Sequence, residues 1–203
     1  MVRIYRNDVI FFVLVICMAQ VTLEAGAMTL PADEGIFLVG QDLDGVLPPS
    51  LVKLPYHKEL NLMQNYLSGS IPPEWGSIKL EFLVLSVNNL SGSIPASLGN
   101  ITTLRALALE SNFFSGSIPP EMGRLINMEV LEMQASGFEG PIPSTLSVLS
   151  NMKYLVISDL SGESSVFPDL SNMKNMQTLM LRSCNMTGSI PEYISNMTSL
   201  QVL

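Results

Sequence analysis

The chain has 203 residues, 47% of them hydrophobic and only 14% charged, a composition too apolar for a disordered polypeptide. Its formal charge is −8, with 18 acidic residues against 10 basic ones, which argues against a nucleic-acid surface built from clustered Lys and Arg. Two cysteines are too few to staple a scaffold.

Residues 1–27 read as a secretory signal peptide. Arg3 and Arg6 precede an apolar run, Val9–Ala19, and Ala25-Gly26-Ala27 supplies a small-x-small cleavage pattern. The run is too short to cross a bilayer, which takes about 20 apolar residues, because Gln20, Thr22 and Glu24 end it. No later stretch is long and apolar enough to span a membrane. Cys17 leaves with the signal, so the mature chain keeps Cys184 alone. Residues 28–34 form a short segment without a cysteine cap, and 35–203 form one repeat domain that ends within a repeat, where Leu200 and Leu203 begin an eighth strand.

One phrase recurs through that domain. GSIP occurs at Gly69–Pro72, Gly92–Pro95, Gly116–Pro119 and Gly188–Pro191, and GPIP at Gly140–Pro143. GVLP at Gly45–Pro48 and SVFP at Ser165–Pro168 are weaker copies. The prolines advance by about 24 residues, a period that marks a solenoid of stacked coils.

Each position of the repeat has a physical reason. In coil three, Leu80, Leu83, Leu85, Asn88, Leu90, Gly92, Ile94 and Pro95 follow an LxxLxLxxNxLxGxIP template. The LxL pair is a short strand whose leucines face inward while the residues between them face out. Equivalent strands pair in parallel from coil to coil. The Asn turns the chain and offers its amide to backbone groups that would otherwise be buried unpaired. Gly permits a φ that other residues resist, and Pro ends the strand. Apolar residues three and six places past Pro, such as Leu98 and Ile101 or Leu146 and Leu149, line the outer arc.

The departures from the template are local. Coil six gains a residue in SDLSGESSVFP and loses one in PDLSNM. The Asn position holds Gln41, Ser136, Leu160 and Cys184 in four coils, so the inner ladder is expected to be incomplete. His57 stands where the template has Leu, as a partly exposed residue near an imperfect edge. Cys184 reads as a buried thiol, Trp75 as core or outer-arc packing, and Met128, Met133 and Met176 as core fill in place of leucine.

This pattern resembles the ectodomain of plant leucine-rich-repeat receptor-like serine/threonine kinases, especially the group that also carries a malectin-like domain. The stretches that carry the resemblance are Leu47–Ser77, Leu98–Leu104, Ile157–Leu170 and Leu181–Ile194. The resemblance implies an α/β-type solenoid: a right-handed coil of about seven repeats of about 24 residues, with short parallel strands on its concave face. It implies a truncated relative, since cap cysteines, malectin-like domain, membrane span and kinase motifs are missing from the chain. Kinase activity therefore does not carry over. Neither catalytic residues nor a cofactor nor a metal site is expected. A secreted inhibitor of cell-wall-degrading enzymes uses the same repeat and stays open as an alternative, as does a non-functional receptor fragment.

Three surfaces are candidates for function. The outward residues of the strands form two columns, and their central members, Val84, Ala108, Glu132, Val156 and Met180 in one and Ser86, Glu110, Gln134, Ser158 and Arg182 in the other, are expected to take a peptide, a protein ligand or a co-receptor ectodomain. Glu110 and Glu132 sit on adjacent coils and are expected to be solvated, with some mutual repulsion. A flanking column of alternating sign, Lys58, Glu81, Arg105, Glu129 and Lys153, is expected to act as a charge ladder between coils. Four N-x-S/T tripeptides, at Asn89, Asn100, Asn185 and Asn196, are expected to be exposed and glycosylated on a secreted chain. The resulting localisation is the secretory pathway, extracellular or, in a full-length relative, the outer face of the plasma membrane.

Overall fold

A computed structural model describes residues 35–54 and 57–203. The expected signal peptide, residues 1–27, and the segment 28–34 lie outside the described residues. Each coil contributes one short strand to an inner sheet: Ile36–Phe37, Glu59–Asn61, Phe82–Val84, Ala106–Ala108, Val130–Met133, Tyr154–Ser158 and Thr178–Arg182. The strands are parallel and their spatial order is their order along the chain. Val202 begins the next coil with a bridge to Thr178.

The register stacks like on like. Leu60 lies beside Leu83, then Leu107, Leu131, Leu155 and Leu179. All six are buried and belong to one apolar core that runs the length of the stack. A single coil has no second layer to cover these leucines, so each coil completes its core against the next. Met128, Met133, Met176 and Trp75 are fully buried in the same core. The Trp75 indole also donates to the Pro48 carbonyl of the preceding coil at 3.0 Å.

The Asn column holds the coils together as the template requires. Asn112 Nδ2 donates to Leu85 O of the coil before at 3.0 Å, while its Oδ1 accepts from Leu90 N at 3.1 Å. Asn65 and Asn88 repeat the pattern. The ladder is more complete than the sequence suggests. Ser136 Oγ donates to Leu109 O at 2.8 Å, and Cys184 Sγ lies 3.4 Å from Ile157 O. Both reach the carbonyl that an Asn would reach. Within coils two to seven only Leu160 breaks the ladder, since its side chain has no polar atom.

Two features are not visible in the template. A second, outer sheet is built from Asp44–Val46, Tyr66–Gly69, Asn89–Gly92 and Phe113–Phe114. Its strands pair two residues out of step, so that Ser68 faces Asn89 and Ser91 faces Phe113. The outer arc is made of five-residue 3-10 helices, each starting after a template proline: Pro49–Lys53, Pro73–Ser77, Ala96–Asn100, Pro120–Arg124, Ser144–Val148 and Glu192–Asn196. The residue three past the proline closes each turn by donating to the proline carbonyl, as Leu98 N does to Pro95 O at 2.9 Å. Gly99 packs so tightly against the next coil that a Cβ there would sit 2.3 Å from Glu121 O.

Coil six is the exception, and the lost residue in PDLSNM is the reason. Leu170 stands two places after Pro168 instead of three, so the turn cannot close on itself. Among the described residues coil six has no 3-10 helix. Tyr193 of coil seven fills the gap: its hydroxyl donates to Pro168 O and accepts from Leu170 N. After coil four the outer sheet narrows to single parallel bridges, Ser117 to Glu139 and Glu139 to Ser161, and two-residue strands return as Ser165–Val166 beside Met186–Thr187.

Candidate recognition surface

The inner sheet lines up the two outward columns as expected. Asn61, Val84, Ala108, Glu132, Val156 and Met180 are register partners across six coils. Ser158 and Arg182 pair in the second column. Access along the columns is uneven. Ser86, Ser158, Ala108 and Val156 are buried, Val84, Glu110, Glu132 and Gln134 are half-buried, and Met180 and Arg182 are exposed. Small side chains sink between longer neighbours on a closely spaced parallel sheet, where strands are about 4.8 Å apart.

The centre of the face is electrostatically unfinished. Glu110 and Glu132 are both half-buried, not fully solvated as the sequence suggests. Among the described residues, Glu110 Oε2 and Ser86 Oγ are buried without a hydrogen-bond partner. Burial pushes the Glu132 carboxyl above its ordinary value, and the charge of Glu110 adds to the rise. The ionised form of Glu132 therefore costs folding free energy. That cost is absent below the ordinary Glu value, builds as pH rises from the ordinary toward the raised value, and is complete above the raised one.

Toward coil seven the polar groups are satisfied. Ser158 Oγ donates to Asp159 Oδ2 at 2.5 Å and accepts from Ala135 N at 3.2 Å. Asp159 in turn lies 3.7 Å from Arg182 Nη2. Ser158 is thus committed to holding the coils together, a role its column position did not reveal.

The flanking column forms the ladder predicted for it. Lys58 lies 3.5 Å from Glu81, Arg105 lies 3.8 Å from Glu81 and 2.7 Å from Glu129, and Lys153 lies 2.6 Å from Glu129. Hydrogen bonds from Lys153 and Arg105 hold the Glu129 carboxyl below its ordinary value. Beside this ladder runs a column that the sequence reading passed over. It contains Phe82, whose ring lies under the Arg105 guanidinium at 5.6 Å, and Tyr154, whose hydroxyl donates to Gln177 Oε1 at 2.7 Å. Its signal was available, since aromatics stand directly before the LxL pair in two coils.

Other candidates find ordinary places. His57 is half-buried and burial pushes its pKa down, while Nδ1 has no partner among the described residues. Cys184 is a buried free thiol, and burial raises its pKa. Asn89, Asn100, Asn185 and Asn196 are all exposed. No helix among the described residues is long and apolar enough to cross a membrane.

Coil, ladder and concave sheet together define a leucine-rich-repeat solenoid. The Leucine Rich Repeat family model matches residues 58–78, 79–101 and 175–197. A probable leucine-rich repeat receptor-like serine/threonine-protein kinase of Arabidopsis thaliana is 55% identical over 74 residues, which is 36% of this chain and 7% of that protein. Among solved structures, the Arabidopsis receptor kinase HAESA in complex with the peptide hormone IDA and the co-receptor SERK1 is 37% identical, with a TM-score of 0.71 over 78% of this chain and 27% of that one. The ectodomain of BIR2 from Arabidopsis thaliana is 30% identical, with a TM-score of 0.53 over 63% of this chain and 68% of that one. The chain carries leucine-rich repeats and is similar to the ectodomains of plant receptor-like kinases. It spans a small part of the kinase relative and about a quarter of the HAESA chain.

Proposed function

We propose that the chain is an extracellular recognition module whose inner sheet takes up a peptide or a partner ectodomain in cell-surface signalling. The observation that carries this reading is the unpaired Glu110 carboxylate oxygen at the middle of that sheet, beside Glu132. Two carboxylates that disfavour each other within the chain are relieved by a cation from outside it. A Lys, an Arg or a terminal amine of an incoming chain supplies that charge with hydrogen-bond donors attached. Half-buried Phe82 and Val84 and exposed Met180 offer apolar contact nearby. The strands are ordered before binding, so an extended partner loses entropy while the receptor loses little. The peptide hormone bound to the HAESA ectodomain supports the class of ligand. The four glycosylation tripeptides, all exposed, support an extracellular setting.

Binding of the secreted chain to a panel of extracellular plant peptides and co-receptor ectodomains, measured by surface plasmon resonance, tests the reading. Glu110→Gln should weaken the partner's affinity about tenfold, equivalent to 1.4 kcal/mol. Affinity should fall as pH drops through the raised Glu132 value, earlier on the acid side than an ordinary carboxylate would allow. A partner whose affinity ignores Glu110→Gln and Glu132→Gln alike would place recognition elsewhere on the molecule.

A further inference from the structure

On the extracellular reading above, the outer sheet carries two exposed aromatic rings with no layer of protein over them. Tyr66 is 59% exposed and Phe113 is 67% exposed, although both lie in regular strands. Each strand puts its next residue, Leu67 or Phe114, into the core, so the outward rings cannot turn inward without flipping the strand. Between them, on the intervening strand, stands Asn89 of the Asn89-Leu90-Ser91 tripeptide, exposed on the same face.

The two-residue stagger of this sheet sets their positions. Ser68 pairs with Asn89, so Tyr66 lies one strand over and two residues back. Ser91 pairs with Phe113, so Phe113 lies one strand over and two residues on. With strands about 4.8 Å apart and about 3.3 Å per residue, each ring's Cα is about 8 Å from that of Asn89 along one diagonal. A single sugar ring spans that gap. The other three tripeptides lack this setting. Asn100 and Asn196 end 3-10 helices on the outer arc, and the Asn185 amide already donates to Gly162 O at 2.9 Å.

We infer that Asn89 carries an N-linked glycan whose first N-acetylglucosamine packs flat on the exposed Phe113 ring. In the attachment, Asn89 Nδ2 attacks the anomeric carbon of a lipid-diphosphate-linked oligosaccharide. The N–C bond forms, the C–O bond to the diphosphate breaks, the lipid diphosphate departs with the electron pair, and the amide loses one proton. The sugar's face of C–H groups meets the negative face of the aromatic ring. The glycan then does for this ring what a further layer of protein would do, removing exposed apolar area from water.

The full chain secreted from a eukaryotic host, with glycans trimmed to the first sugar, tests this. Glycopeptide mass spectrometry should find Asn89 occupied. The N-acetyl and ring protons of its sugar should show upfield ring-current shifts in NMR spectra, lost in Phe113→Ser and kept in Tyr66→Ser. Asn89→Gln should lower Tm by about 2 °C, whereas Asn100→Gln should leave it unchanged. Occupancy at the other tripeptides but not at Asn89, or unshifted sugar protons, or shifts that survive Phe113→Ser, would overturn the inference and leave the extracellular reading intact. A chain that is never secreted and carries no glycan at any of the four overturns both.

Discussion

Asn112 shows how much one side chain can hold in a repeat. Its amide meets carbonyls of Leu85, Leu109 and Glu110 and accepts from Leu90 N, all while 5% exposed. Replacing it by Leu keeps the branched shape in a larger side chain and strands the backbone groups, each of which costs about 1–3 kcal/mol when buried unpaired. Asn112→Leu should therefore destabilise by at least about 2 kcal/mol in denaturant unfolding. Ser136→Ala should cost less, since Ser136 serves two carbonyls and no N–H. The residue just before the Asn position is left-handed in coil after coil: Gln64, Val87, Ser111, Ala135, Asp159 and Ser183. Val87 is the misfit, with φ of 58° on a β-branched side chain that stays exposed. Asn tolerates this conformation better, so Val87→Asn should stabilise by about 1 kcal/mol. An unchanged or lower Tm would show that the strain is relieved elsewhere.

At the scale of the strand and its flank, charge alternation supplies register. Glu129 touches cations on both neighbouring coils, and Glu81, two coils before it, touches Arg105 from the other side. Glu129→Lys puts three cations in a row, so Tm should drop by a few degrees at low ionic strength and recover toward wild type in 1 M salt. The stabilisation from Glu129 is present above the ordinary Glu value. It is lost only as pH falls through the lower value that Lys153 and Arg105 impose. A salt-independent loss would mean that packing, not charge, was removed. This ladder was legible in the sequence because its column is one residue from the template leucine and its signs alternate strictly. Phe82 and Tyr154, in the adjacent column, gave a weaker signal, two aromatics directly before the LxL pair with no repeated residue type in the coils between them.

Over the whole molecule, coil six is the weak seam of an otherwise uniform stack. It lacks the 3-10 turn, its Asn position is Leu160, and only single bridges through Glu139 and Ser161 join its outer side to the preceding four strands. In a quasi-one-dimensional fold, stability is a sum of coil terms and neighbour terms, so a poor coil opens before its neighbours. Amides of residues 161–172 should exchange with solvent faster than those of 113–124, the equivalent arc two coils earlier. Tyr193→Phe, which removes the hydroxyl that closes the Pro168–Leu170 gap, should widen that difference and cost about 1–3 kcal/mol. Uniform exchange across the stack would overturn the idea of a seam.

The repeat period, the inward leucines, the proline row and the alternating charges could all be read from the chain alone. They follow from spacing, and spacing along a solenoid is also position in space, because each coil sits one period from the next. The burial of Ser86 and Ser158, the service of Ser136 and Cys184 in the Asn ladder, the unpaired carboxylate of Glu110 and the two-residue stagger that sets Asn89 between Tyr66 and Phe113 were decided only by the tertiary structure. Each depends on what a neighbouring coil brings within about 5 Å. A template that describes one coil at a time contains no term for that contact.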